Sequence, residues 1–100
     1  MSNEQTTPDN EIDRLIHEPA RLKIMLELSL VLEADFRYLL FKTKLSRGNL
    51  SVQLQKLEAA GYIEIKKQFV KRVPRTVVWI TSDGKKAFRK YKDHLVELLS

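Results

Sequence analysis

The residues best suited to chemistry lie between Ser46 and Ala60. Leu50, Leu54 and Leu57 recur there at i, i+4 and i+7, a spacing that commits one stripe of a helix to a core. Off that stripe stand Arg47, Asn49, Ser51, Val52, Gln53 and Lys56, with Ser46 in position to cap the helix. These side chains can address base-pair edges. Arginine takes guanine O6 and N7 together, and asparagine or glutamine takes adenine N6 and N7. Valine touches a thymine methyl, and serine suits a phosphate or a base edge. Solvent faces usually mix Glu with Lys, whereas the first acidic residue here is Glu58, near the C-terminal end. A helix N-terminus also turns partial positive charge toward phosphate. Gly48 costs up to about 1 kcal/mol against alanine in a helix interior. It serves either close approach of the backbone to a partner or relief of packing.

A second group follows. Lys66, Lys67, Lys71, Arg72 and Arg75 lie on or beside a turn that would project from the core. Such an arm can run along phosphates or place an arginine in the minor groove. Lysines also protect an exposed strand edge, but five basic residues exceed that need. The net charge of +5 hides a segregation: residues 1–41 carry four basic and eight acidic side chains, and residues 42–92 carry fourteen basic and three acidic. A positive field this concentrated points to a phosphate-bearing partner.

The elements that must position these groups follow from pattern. One hundred residues with 43% hydrophobic content make one globular domain. At this size roughly 60–65% of the unfolded surface is buried, enough for a core but not for a core plus a roomy ligand pocket. Residues 1–9 (MSNEQTTPD) read as a flexible tail. Asn10 is placed to cap a short helix through Ile16, with Ile12, Leu15 and Ile16 on one face. His17-Glu18-Pro19 interrupts it, since proline suits the first turn of a new helix. That helix runs to about Leu30, with Leu22, Ile24, Met25, Leu26, Leu28 and Leu30 as a broad apolar face.

Residues 31–34 form a connection with room for a very short strand. Asp35 caps a helix to about Thr43 with Phe36, Leu39 and Leu40 inward, a tight join leads to Ser46, and the reading helix ends before Gly61. Residues 62–69 then alternate as a strand and residues 76–81 supply an antiparallel partner, with Val70–Arg75 as a basic loop stiffened by Pro74. Ser82 or Asp83 caps a last helix that runs nearly to Ser100. The fold class is mainly α with a small β-hairpin: a winged helix-turn-helix over residues 10–100.

On the last helix, about residues 82–99, Phe88, Tyr91, Leu95 and Leu98 form a seam suited to another helix. Together with Ile12, Leu15 and Ile16 it makes apolar stripes at both ends of the domain, which a two-fold axis could pair in a homodimer. The reading helices of such a dimer would lie roughly 34 Å apart and favour an inverted repeat of DNA.

The stretch from Leu45 to Phe88 resembles the core of small winged-helix transcriptional regulators of the MarR/ArsR type. Leu57-Glu58-Ala59-Ala60-Gly61-Tyr62-Ile63 is similar to the end of their recognition helix, and Ile80-Thr81-Ser82-Asp83-Gly84 to the close of their wing. His17–Ile24 is similar to their opening helix. The resemblance covers about residues 12–91. It implies a dimer with Arg47, Asn49, Ser51, Val52, Gln53 and Lys56 toward the major groove, and Lys71, Arg72 and Arg75 on the backbone or in the minor groove. Metal-sensing relatives use cysteines, which this chain lacks, and longer relatives place an effector pocket between extended dimerisation helices for which little chain remains here. No effector is assigned.

Other classes find little support. His17 and His94 have no HxxxH or HExxH spacing, no serine sits in a nucleophile elbow, and three glycines make no phosphate loop. Asp13, Glu18 and Glu27 have solvated contexts unsuited to acid–base work. The expectation is no enzyme, no metal and no cofactor. No apolar run spans a membrane, and the N-terminus is unlike a signal peptide, so the expected address is the cytoplasm. The alternative partner class is protein or RNA, bound by a winged-helix module without operator specificity. Most of the aromatics fall at core or seam positions, and RNA readers usually expose theirs as stacking platforms.

Overall fold

The computed structural model describes residues 11–100. In chain order the elements are α1 (Pro19–Ser29), β1 (Ala34–Asp35), α2 (Phe36–Thr43), α3 (Arg47–Ala59), β2 (Ile63–Val70), β3 (Val73–Ile80) and α4 (Ser82–Leu99). The expected tail and the Asn10 cap lie outside the described residues.

In place of the helix expected up to Ile16, the chain makes a turn. The Asp13 carboxylate accepts from the amides of Leu15 (2.9 Å) and Ile16 (3.2 Å), and its other oxygen accepts from the Tyr62 hydroxyl at 2.6 Å. Short polar side chains compete with helix in this way by bonding nearby amides. Asp13 is buried, not solvated. Burial pushes the Tyr62 phenol up, and the Asp13 hydrogen bond and charge add to it.

Each helix begins on a side chain able to accept from its orphan amides. Glu18 accepts from Arg21 N, Asp35 from Arg37 N, Ser46 from Asn49 N, and Thr81, rather than Ser82 or Asp83, from Gly84 N. Lys44 takes a left-handed conformation (φ 62°) that ends α2, and Gly61 (φ 81°) follows the end of α3. Gly84 is required by packing: a β-carbon there would sit 2.0 Å from the Tyr62 carbonyl oxygen.

The sheet is antiparallel in the order β1-β3-β2. Ala34 pairs with Val78 and Asp35 with Val77, while β2 and β3 pair from Ile63–Ile80 out to Val70–Val73. The expected six-residue loop is therefore a two-residue turn, Lys71-Arg72, with both residues at positive φ (53° and 67°). Pro74 lies within β3, beyond the reach of β1, where its missing N–H costs no ladder bond on that edge.

Ile24, Met25, Leu28, Leu39, Leu50, Leu57, Ile63 and Val78 form the centre of one core. Leu26 and Leu30, expected on the apolar face of α1, are exposed. Both apolar end stripes change role. Ile16 is fully buried, with Ile12 and Leu15 packed against the same core. On α4, Phe88 and Tyr91 are buried and Leu95 packs against the core, so these side chains are already covered by their own domain. The reason is that the N-terminal turn and α4 meet each other: His17 Nδ1 and the Tyr91 hydroxyl are 2.9 Å apart. Only the end of the seam stays open, with Leu98 at 68% exposure beside exposed Val96 and Leu99.

Candidate nucleic-acid interface

With Leu50, Leu54 and Leu57 fixed inward, the 100° step of a helix sorts the other residues of α3 into three rows. Arg47, Ser51 and Glu58 form the flank toward the hairpin. Gly48, Val52 and Ala59 form the outermost crest. Asn49 and Gln53 form the flank toward α1, and Lys56 lies between that flank and the crest. Arg47, Asn49, Ser51, Val52 and Lys56 are all exposed, as is the capping Ser46.

The hairpin flank bounds an open cleft of about 520 Å³. Arg47, Ser51, Gln55 and Glu58 line one wall, Lys67 and Thr76 the other, with Phe36, Leu54 and Ile65 also contributing. The Arg47 guanidinium stands over the Phe36 ring at 5.7 Å, so this cation is held at the mouth of the cleft. The polar flank of α3 and the basic hairpin thus face a common, unobstructed space.

Strand alternation decides which lysine shares that space. Counting from buried Ile63, the residues Ile65, Lys67 and Phe69 point to the α3 side, paired with Val78, Thr76 and Pro74. Lys66 points to the opposite face, so the structure brings Lys67 rather than Lys66 beside α3. The two-residue alternation from Tyr62 onward carried this information. Lys71 and Arg72 are exposed at the hairpin tip.

Two expected contact residues are engaged within the chain. Arg75 Nη1 donates to Asp35 Oδ2 at 3.0 Å, tying β3 to the start of α2. This pairing makes Arg75 a brace of the hairpin, with its side chain still 36% exposed. Burial alone would raise the Asp35 carboxyl, but the Arg37 amide and the Arg75 guanidinium outweigh it and hold the group below the usual carboxylate range. Gln53 is half-buried: its Oε1 accepts from Arg21 Nη1 at 2.7 Å, and its Nε2 donates to Asn49 Oδ1 at 2.9 Å.

Gly48 is not explained by packing within the chain, since a β-carbon there would meet nothing within 4 Å. Its place on the crest suits close approach of an external surface. Sequence reasoning also missed Gln55 and Thr76 as groove-lining residues. Gln55 follows Ser51 by four residues, which places it next along the same side of the helix.

No helix among the described residues is long and apolar enough to cross a membrane. The profile of the family described as "Winged helix DNA-binding domain" matches residues 20–99. The uncharacterized protein MJ0432 of Methanocaldococcus jannaschii is 34% identical over 85 residues, 85% of this chain and 92% of that protein. The structure of a transcriptional regulator homologue protein from Pyrococcus horikoshii OT3 superposes with a TM-score of 0.79 at 32% identity, covering 87% of this chain and 86% of that one. A MarR-family transcriptional regulator from Silicibacter pomeroyi shares the fold, with a TM-score of 0.66 at 18% identity over 84% of this chain and 56% of that one.

Proposed function

The chain belongs to the winged helix DNA-binding domain family, and from that premise we propose that it is a dimeric transcriptional regulator that binds specific double-stranded DNA. In this reading α3 enters the major groove with Arg47, Asn49, Ser51, Val52 and Lys56 toward the bases. The wing tip, Lys71 and Arg72, lies on phosphate or in the adjacent minor groove, and Lys67 follows the backbone along the cleft. The observation that carries the reading is the shared orientation of the α3 flank and the hairpin around one open cleft. The name borne by the Pyrococcus horikoshii relative supports a regulatory role.

A second copy would meet the first through the free end of α4, where Val96, Leu98 and Leu99 are exposed on the last two turns. A two-fold axis there presents two reading helices, and the preferred site is an inverted repeat with half-sites about one helical turn apart.

Selection of bound sequences from random duplex DNA, combined with a salt titration, tests the proposal. The expected product is a motif with two-fold symmetry, bound about a thousandfold or more weaker at 200 mM than at 50 mM salt if six to ten phosphates are engaged. Arg47→Ala is expected to cost about 1–3 kcal/mol and relax preference at one base position per half-site. Retention of random sequence, or binding indifferent to salt, would overturn the proposal in favour of a protein-binding module.

A further inference from the structure

Arg21 belongs to α1, outside the set of side chains that face a partner, yet it is joined to them. Its side chain is only 12% exposed. Nε donates to the Leu15 carbonyl and Nη1 to Gln53 Oε1 at 2.7 Å, with Glu18 Oε1 3.9 Å away. A guanidinium has five donors and no acceptor, so only the oxygen of the Gln53 amide can face it. The Gln53 nitrogen is thereby turned along α3, where it donates to Asn49 Oδ1 at 2.9 Å. An amide nitrogen does not accept, so the oxygen of Asn49 must face Gln53. The NH₂ group of Asn49 is what remains for an external partner. This order follows from the donor inventory of three side chains, and reversing either amide would set donor against donor.

We infer that Arg21 is a positioning residue for sequence recognition: acting through Gln53, it fixes the hydrogen-bond polarity of Asn49 so that Asn49 presents donors. The inference rests on the proposal that α3 reads the major groove. A free asparagine can turn its oxygen and one N–H to the same base edge, and so pairs with adenine N6 and N7. With its oxygen engaged, Asn49 instead favours base edges that carry acceptors, guanine O6 and N7 or thymine O4. Arg21 is shielded and held at three points, so it keeps this setting without touching DNA.

The test is the same duplex selection, run on the wild type and on variants whose folding is checked by circular dichroism. N49A identifies the base position concerned as the one whose preference disappears. Gln53→Glu keeps an acceptor for Arg21 but loses the donor to Asn49. The asparagine amide then turns over to donate to the introduced carboxylate, and its oxygen faces outward. Preference at that position is expected to move from guanine or thymine to adenine or cytosine, whose amino groups donate, by roughly 5- to 150-fold in relative enrichment. Gln53→Met adds no charge and frees the asparagine, so adenine gains at that position; this variant decides the matter where Gln53→Glu abolishes binding. Arg21→Met is expected to broaden the same position alone, and Arg21→Lys, which keeps a donor, to restore the wild-type preference. An unchanged preference in both Gln53 variants, with a wild type that selects a clear motif, overturns the inference while leaving the DNA-reading proposal intact. A wild type that selects no motif overturns both.

Discussion

The wing turn is predicted to be a place where stability and binding can be moved in opposite directions. Lys71 and Arg72 occupy a two-residue hairpin turn with φ of 53° and 67°, a geometry that Asn-Gly adopts with least strain. Left-handed backbone costs a non-glycine residue roughly 1–2 kcal/mol. Replacing the pair by Asn-Gly (Lys71→Asn with Arg72→Gly) relieves most of that at two positions, and the extra unfolded-state entropy of glycine takes back about 0.5–1 kcal/mol. The net expectation is a gain of about 1–2 kcal/mol, a rise in Tm of roughly 4–8 °C per kcal/mol for a domain of this size. The same change deletes two cations at the exposed tip. Each phosphate contact contributes about 0.9 to the slope of log K against log salt, so the slope should shrink by about 1.8. Between 50 and 200 mM salt the wild type should then lose about tenfold more affinity than the variant. Thermal unfolding followed by circular dichroism gives the first number, and fluorescence anisotropy with a duplex carrying the selected motif gives the second. A lower Tm would show that the turn residues are not strained. An unchanged slope would show that the tip does not meet phosphate, and the wing would lose its part in the proposed interface.

Gly48→Ala should raise helix stability by up to about 1 kcal/mol, because a methyl there meets nothing, and should weaken DNA binding by filling the crest; equal affinity would remove close approach as the reason for the glycine. Gly84→Ala should destabilise the fold by about 1–3 kcal/mol or more, read from urea unfolding, since its methyl would overlap the Tyr62 carbonyl; a variant as stable as the wild type would refute that contact. Tyr62 has a raised folded pKa, so its stabilising contribution is full below the unfolded value of about 10 and is lost as pH rises through the folded value. Stability should therefore fall above about pH 10, and less steeply in Tyr62→Phe; identical slopes would mean the phenol ionises as freely folded as unfolded. Leu98→Glu should convert a dimer to a monomer in sedimentation with little change in Tm of the isolated domain, as the side chain is 68% exposed; a dimer that persists moves the interface off the end of α4.

What the sequence made legible was set by period and punctuation. Ser46 and Gly61 frame the reading helix because capping is a local matter of backbone amides and one side chain, and the structure keeps both limits. The change from a 3.6-residue to a two-residue repeat after Gly61 likewise marks the hairpin. Failures come where a long-range partner outweighs a local preference. Asp13 could have sat in a helix but is drawn to two amides and to Tyr62, forty-nine residues away, and the expected first helix becomes a turn. The seam of Phe88, Tyr91 and Leu95 has the right spacing for a partner helix, but spacing cannot say whose surface it meets. The domain's own N-terminal turn and core take it first.

The same distinction orders the candidate interface. Of the basic residues in and beside the hairpin, charge alone ranks Lys66, Lys67, Lys71, Arg72 and Arg75 equally. Pleat and pairing separate them: Lys67 shares the cleft with α3, Lys66 faces away, and Arg75 is bound to Asp35. On α3, side-chain type alone makes Asn49 and Gln53 interchangeable amides, but the donor-only Arg21 gives each a fixed direction. A recognition surface is in this sense smaller than its list of polar residues. Side chains already satisfied within the domain have less hydrogen-bonding capacity to offer a base pair, and those left free do so with a polarity their neighbours have imposed. If α3 reads the major groove as proposed, specificity is therefore written partly on α1, behind the helix that carries it.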